Sequence, residues 1–93
     1  MIYNLLKEKK PKSVVLKMRQ NNDMLVVNSK ELEIFYLNGT SAFFLEKCDG
    51  DRSIEQIKNL MLDEFDVPES LLCKDLVVLV RDLQWKKLIA LED

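Results

Sequence analysis

Few residues of this 93-residue chain are equipped for chemistry. Asp49 and Asp51 flank Gly50 in a way that would suit a general acid–base pair, but a helix-ending turn accounts for both carboxylates. The chain has two cysteines, Cys48 and Cys73, and no histidine. With no CxxC pair either, a zinc ligand set is missing. Pairing of the two thiols is not expected in a chain with a credible core and no export signal, so they read as reduced core residues. A Gly-rich phosphate loop and a glycine-framed nucleophile are also missing. No catalytic residue, metal or cofactor is therefore expected, and the chain reads as a non-enzyme.

Composition sets the frame that must hold any recognition surface. At 47% hydrophobic and 32% charged, 93 residues suit one modest core, so one domain is expected. With only two Gly and two Pro there is no linker or low-complexity tract. The apolar runs are interrupted by charge and fall short of the roughly 20 residues that span a bilayer, so no membrane partner is expected. The opening MIYNLLKEKK places apolar residues before basic ones, the reverse of a signal peptide, and implies a cytoplasmic location. Net charge −2 and a pI near 5.2 argue against nucleic acid as a partner. The domain is drawn over residues 12–93. Residues 1–11 are read as a flexible arm, with Ile2, Tyr3, Leu5 and Leu6 available to dock on the domain or on a partner.

Strands come first along the chain. Ser13 to Arg19 is β-branched and partly alternating after Pro11, Met24 to Asn28 follows a polar turn at Gln20 to Asp23, and Leu32 to Leu37 is dense in aromatic and β-branched residues. Helices follow. Asn38 is a suitable N-cap for Gly39 to Cys48, which puts Ser41, Phe44, Leu45 and Cys48 on one face, and Asp49-Gly50 supplies the stop. Ser53 with Gln56 predicts a capping box for a second helix striped by Ile54, Ile57, Met61 and Phe65. Asp66-Val67-Pro68-Glu69 predicts the start of a third, with Asp66 as cap and Glu69 reaching back, running to about Lys87. Leu72, Leu76, Leu79, Val80 and Leu83 complete its core stripe. Val77, Val78 and Trp85 are surplus: either Val77 packs under the sheet and Trp85 covers the helix end, or this surface meets something else.

The word order of strand, Leu37-Asn38, short apolar helix and Cys48-Asp49-Gly50 resembles the PqqD family. The resemblance continues through Arg52-Ser53-Ile54, Phe65-Asp66-Val67 and Asp75-Leu76 to Leu83, covering roughly Val15 to Ile89. Lys87-Leu88-Ile89 stands where that family has Gly-Leu-Ile, so a Gly C-cap is lost. The resemblance implies an α+β, winged helix-turn-helix-like fold, a three-stranded antiparallel sheet followed by three helices. It also implies a stand-alone recognition element for ribosomally made, post-translationally modified peptides. Such a domain binds the leader segment of a precursor and delivers it to a radical SAM enzyme, a cyclase or a leader protease.

The implied mode is β-augmentation, in which the leader adds a strand to an open sheet edge and pockets read its alternate side chains. Carried onto this chain, the edge is Glu33, Ile34, Phe35, Tyr36 and Leu37, facing Lys74, Val77, Val78 and Arg81 of the last helix. Lys74 and Arg81 lie seven apart and would pair with acidic leader residues, unless they are solvated charges paired with Asp75, Asp82 or Glu69. Glu33 would discourage the edge from pairing with a second copy, and a homodimer remains an open alternative.

Two other readings compete. A winged-helix regulator would place a helix in the DNA major groove, but the last helix offers only Lys74, Arg81, Gln84 and Lys86 among exposed acids and valines. A generic protein-interaction module would share the open edge without reading a leader.

Overall fold

The computed structural model describes residues 2–92 and folds them as a mixed α+β domain. Its centre is a three-stranded antiparallel sheet of β2 (Lys17–Asn21), β3 (Met24–Asn28) and β4 (Ile34–Leu37), in that spatial order. Asn22, with φ 57°, makes the tight turn of the first hairpin, as the polar run predicts. The second connection is built on Ser29, a fully buried residue whose hydroxyl accepts from the N–H groups of Glu31 and Glu33 at 3.2 Å. Leu32 takes φ 66° in this loop, so the third strand starts at Ile34 rather than at Leu32.

Three helices follow the sheet: α2 (Gly39–Glu46), α3 (Ile54–Glu64) and α4 (Glu69–Trp85). Phe44, Leu45 and Cys48 are buried as the periodicity requires, although α2 itself ends at Glu46. Asn38 is extended at the N-cap but makes no side-chain capping bond. Gly50, at φ 85°, is not the helix stop either. It lies in the following turn, where the Asp49 carboxylate accepts from the N–H groups of Asp51 and Arg52 and the Gly50 N–H donates to Pro11. The Ser53–Gln56 capping box forms as predicted. For α4 the cap is Pro68, not Asp66, and Glu69 pairs with Lys58 instead of reaching back.

The end of α4 resolves the missing glycine. Leu88 N–H donates to Leu83 C=O and Lys87 N–H to Gln84 C=O, the Schellman pair of bonds, with Lys87 itself at φ 59°. A non-glycine residue there costs about 1 kcal/mol, and the Lys87 ammonium offsets part of it by pairing with Glu31 at 2.8 Å.

The chain also holds elements that the sequence reading lacks. Residues expected as a flexible arm form α1 (Ile2–Leu6) and the first half of β1 (Lys10–Ser13), so four helices rather than three are present among the described residues. β1 pairs antiparallel with β5 (Ile89–Glu92) in a second, two-stranded sheet. The expected first strand, Ser13 to Arg19, is thus split between two sheets. Val14 N–H donates to Leu88 C=O and Leu16 N–H to Asn28 C=O, so the chain changes partners midway. The boundary drawn at residue 11 therefore falls inside β1; Met1 and Asp93, the outer ends of the two ranges, lie outside the described residues. Tyr3 anchors α1, only 4% exposed and donating its hydroxyl to Glu55 Oε1 at 2.6 Å.

Candidate functional site

β4 is an edge strand. It pairs with β3 in the register Leu25↔Leu37, Val26↔Tyr36, Val27↔Phe35 and Asn28↔Ile34, and with no other strand among the described residues. Ser29 N–H donates to Glu33 C=O, which starts the alternation of an antiparallel ladder. By that alternation the N–H and C=O groups of Glu33, Phe35 and Leu37 point at β3. Those of Ile34 and Tyr36 point outward, unpaired, and both residues are exposed. Leu37 is buried and Phe35 half-buried, so β4 presents one face to the core and an open backbone rim to solvent.

The face of α4 nearest β4 is set by its core stripe of Leu72, Leu76, Val80 and Leu83, all buried. On the β4 side of that stripe lie Asp75, Leu79, Asp82 and Lys86; the Lys86 ammonium sits 5.6 Å from the centre of the Phe35 ring. A groove of ≈ 400 Å³ opens between this face and the first turn of α2, which begins just after β4. Met61, Leu72, Leu76, Val78 and Leu79 give it an apolar lining, and Thr40, Ser41, Asp75 and Asp82 its polar rim. Asp82 pairs with Lys86 at 2.8 Å, whereas Asp75 forms no ion pair among the described residues.

The residues carried over from the resemblance do not all converge here. Glu33 to Leu37 form the edge and its approach, and Val78 lines the groove. Lys74 and Val77 turn to the other side of α4, where with Ile2 and Tyr3 they line a separate hollow under α1. Val77 is therefore not packed under the sheet. Arg81 shares an outer hollow with Val78, Asp82 and Trp85, and Trp85 covers nothing: it is 86% exposed. Thr40, Ser41, Asp75, Leu79 and Asp82 were missed as site residues. The signal for the two acids was present, since Asp75 and Asp82 share the seven-residue spacing of Lys74 and Arg81.

Beneath α1 lies the main polar cluster of the interior. The Lys58 side chain is almost fully buried, bridges Glu55 at 2.8 Å and Glu69, and stacks over the Tyr3 ring. Burial alone would push its ammonium down, but the bonds to Glu55 and Glu69 outweigh that and the net shift is upward. The Glu55 carboxyl is held below its ordinary range by Lys58 and then by the Tyr3 hydroxyl. Burial, with Glu55 beside it, drives the Tyr3 hydroxyl far above its usual value, so it remains a donor. Burial also pushes the Cys48 thiol up to about 12 and raises that of Cys73, which leaves both as unreactive thiols. Among the described residues no cluster of three or more His, Cys, Asp or Glu is placed to hold a metal ion.

A pH dependence follows from the carboxylates. The folded-state values of Glu55 and Asp49 are depressed, the latter mainly by the N–H groups of Arg52 and Asp51, so their stabilisation is present above the ordinary carboxylate range. It is lost as pH falls through the folded values. Thermal melts followed by circular dichroism are expected to show the midpoint falling between about pH 5 and pH 3, with Glu55→Gln giving a shallower fall.

Residues 23–89 match the family model described as "Coenzyme PQQ synthesis protein D (PqqD)". The match covers β3, β4 and the three helices α2 to α4, and the chain belongs to the PqqD family, the PqqD-like recognition elements of ribosomally made, post-translationally modified peptides. Members are accessory binding proteins in peptide-modification pathways rather than catalysts. No curated protein and no solved structure matches the chain. No helix among the described residues is long and apolar enough to cross a membrane.

Proposed function

We propose that this protein captures the leader segment of a precursor peptide by strand addition to β4 and delivers it to a modifying enzyme, whether a radical SAM enzyme, a cyclase or a leader protease. The observation that carries the reading is the outward, unpaired backbone of Ile34 and Tyr36 on an edge strand that ends beside an apolar groove. The order of three strands and then three helices in β2 to α4 supports a winged-helix-like arrangement, with α4 as the wall of the peptide site. A leader in this position extends the sheet through backbone bonds worth about 0.5–1.5 kcal/mol each, so its apolar anchor in the groove must supply much of the selectivity.

The rim of that groove changes the expected charge of the ligand. Lys74 and Arg81 would favour acidic leader residues, but Asp75 and Asp82 are the charges at the groove mouth. A leader with Lys or Arg next to its apolar anchor fits this rim. The test is a ¹⁵N-correlation NMR titration with the leader of a precursor encoded beside this gene, in versions with Lys and with Glu at the flanking position. Saturable shifts confined to residues 33–37, the start of α2 and the Asp75/Asp82 side of α4 are expected. The Lys version should bind a few-fold more tightly, with the difference shrinking in salt. Shifts confined to the hollow under α1, or none at about 1 mM peptide, would overturn the reading.

A further inference from the structure

The two edges of the three-stranded sheet follow opposite rules. Leu25, Val27 and Leu37 belong to the core cluster and Phe35 packs on it, so this set marks the inner face. By alternation Lys17, Arg19 and Asn21 of β2, Val26 of β3, and Ile34 and Tyr36 of β4 lie on the outer face. A sheet with one face in solvent is expected to be polar on that face, and an edge strand to carry charge there. β2 does so: its three outer residues are polar and exposed. β4 does not. Its outer residues, Ile34 and Tyr36, are 55% and 63% exposed, so the strand is apolar on both faces. The register sets Tyr36 beside Val26, which is only 5% exposed although it lies outside the core cluster, with Arg19 beyond it. The apolar part of the outer face therefore lies on the side of the open edge and away from β2.

The backbone beside Ile34 and Tyr36 says what covers them. They are the residues of β4 whose N–H and C=O groups point outward. A strand bonded there places one residue directly opposite each, about 5 Å away and on the same face of the sheet. The residue between those two stands opposite Phe35 and points to the inner side, where α4 lies. We infer that the leader is read on both faces of the sheet: two apolar or aromatic leader residues, two positions apart, pack beside Ile34 and Tyr36, and the residue between them turns to the groove side. The ligand class is then a leader with three consecutive apolar residues, and not one in which apolar and polar residues alternate. The inference rests on strand addition to β4. It adds a role for the Ile34 and Tyr36 side chains that the backbone bonds do not require.

The experiment is isothermal titration of the full chain with the leader of a precursor encoded beside this gene. Ile34→Thr and Tyr36→Thr keep the outward N–H and the strand propensity while removing the apolar side chain, and both positions are exposed, so the fold should persist. Each should weaken binding about three- to fivefold, whereas Tyr36→Phe should stay within about twofold of the wild type. Serine is then placed at each leader position in turn. Two positions, two apart, should lose affinity against the wild type and lose much less against the matching threonine variant. At the position between them the loss should be the same for all three proteins.

Threonine variants that bind as tightly as the wild type, while the leader still shifts the amides of residues 33–37, would overturn this inference and leave strand addition standing. A weakened pair of variants with no coupled positions in the serine scan would overturn it too, because the loss would then lie in the strand itself. A leader that fails to bind the wild type would remove strand addition and this inference together. Sedimentation velocity on the same proteins supplies the remaining arm: a wild-type dimer that either threonine variant dissociates would assign the outer face to a second copy and overturn the inference.

Discussion

Tyr36→Pro should keep the fold and weaken leader binding by tenfold or more. The Tyr36 N–H points away from β3, so proline removes no bond of the native ladder, and an edge strand tolerates proline where its N–H would face solvent. Phe35, the preceding residue, is already in strand conformation, which proline requires of it. What is lost is one donor to the incoming strand, about 0.5–1.5 kcal/mol, together with close approach past the ring. Each 1.4 kcal/mol is a factor of about ten in Kd. Isothermal titration of both proteins with the same peptide measures the loss, and an unchanged thermal midpoint shows that the domain is intact. The same change at Phe35 would strike a bond to β3 and should unfold the strand, so the pair of variants separates the outward rim from the inward one.

Phe44→Ala is expected to have the largest effect on stability. Phe44 is fully buried in the core cluster, on α2 where it packs against α3, and its carbonyl accepts the Cys48 thiol. Truncation removes the ring's transfer energy and leaves a cavity, a loss of about 3–5 kcal/mol. That is a large share of the roughly 5–15 kcal/mol that holds a small domain folded. Urea denaturation should show the midpoint falling with the slope unchanged, while Phe44→Leu, which keeps most of the volume, should cost less than about 1.5 kcal/mol. Because α2 carries Thr40 and Ser41 at the groove mouth, Phe44→Ala should also weaken peptide binding once the folded fraction is corrected for.

Local rules accounted for much of this architecture. The Ser53–Gln56 capping box is a bond pattern between residues three apart, the turn at Asn22 needs only a residue that accepts positive φ, and the stripes of α3 and α4 follow from helical period. Family order adds the identity of the edge strand, and β4 is indeed an edge. What eluded the sequence depends on distant partners. The five residues of α1 are too short to be stable as a helix alone, and α1 exists because Tyr3 finds Glu55 and Lys58 more than fifty positions along the chain. β1 and β5 join the two ends of the chain, and neither reads as a strand without the other.

The groove shows the same division at the scale of single side chains. Spacing along α4 determined that Lys74 with Arg81, and Asp75 with Asp82, form two stripes of opposite charge, each with the same seven-residue spacing of about two turns. Which stripe borders β4 was decided only by the rotation of α4 about its own axis. That rotation is set by burying Leu72, Leu76, Val80 and Leu83 against the core while α1 covers one flank and α2 stands at the other. The sequence by itself determined the family, the helices α2 to α4 and the edge strand β4. Tertiary packing decided the sign of the charge at the groove mouth, because neighbouring residues on a helix stand 100° apart and only the packed neighbours choose between them.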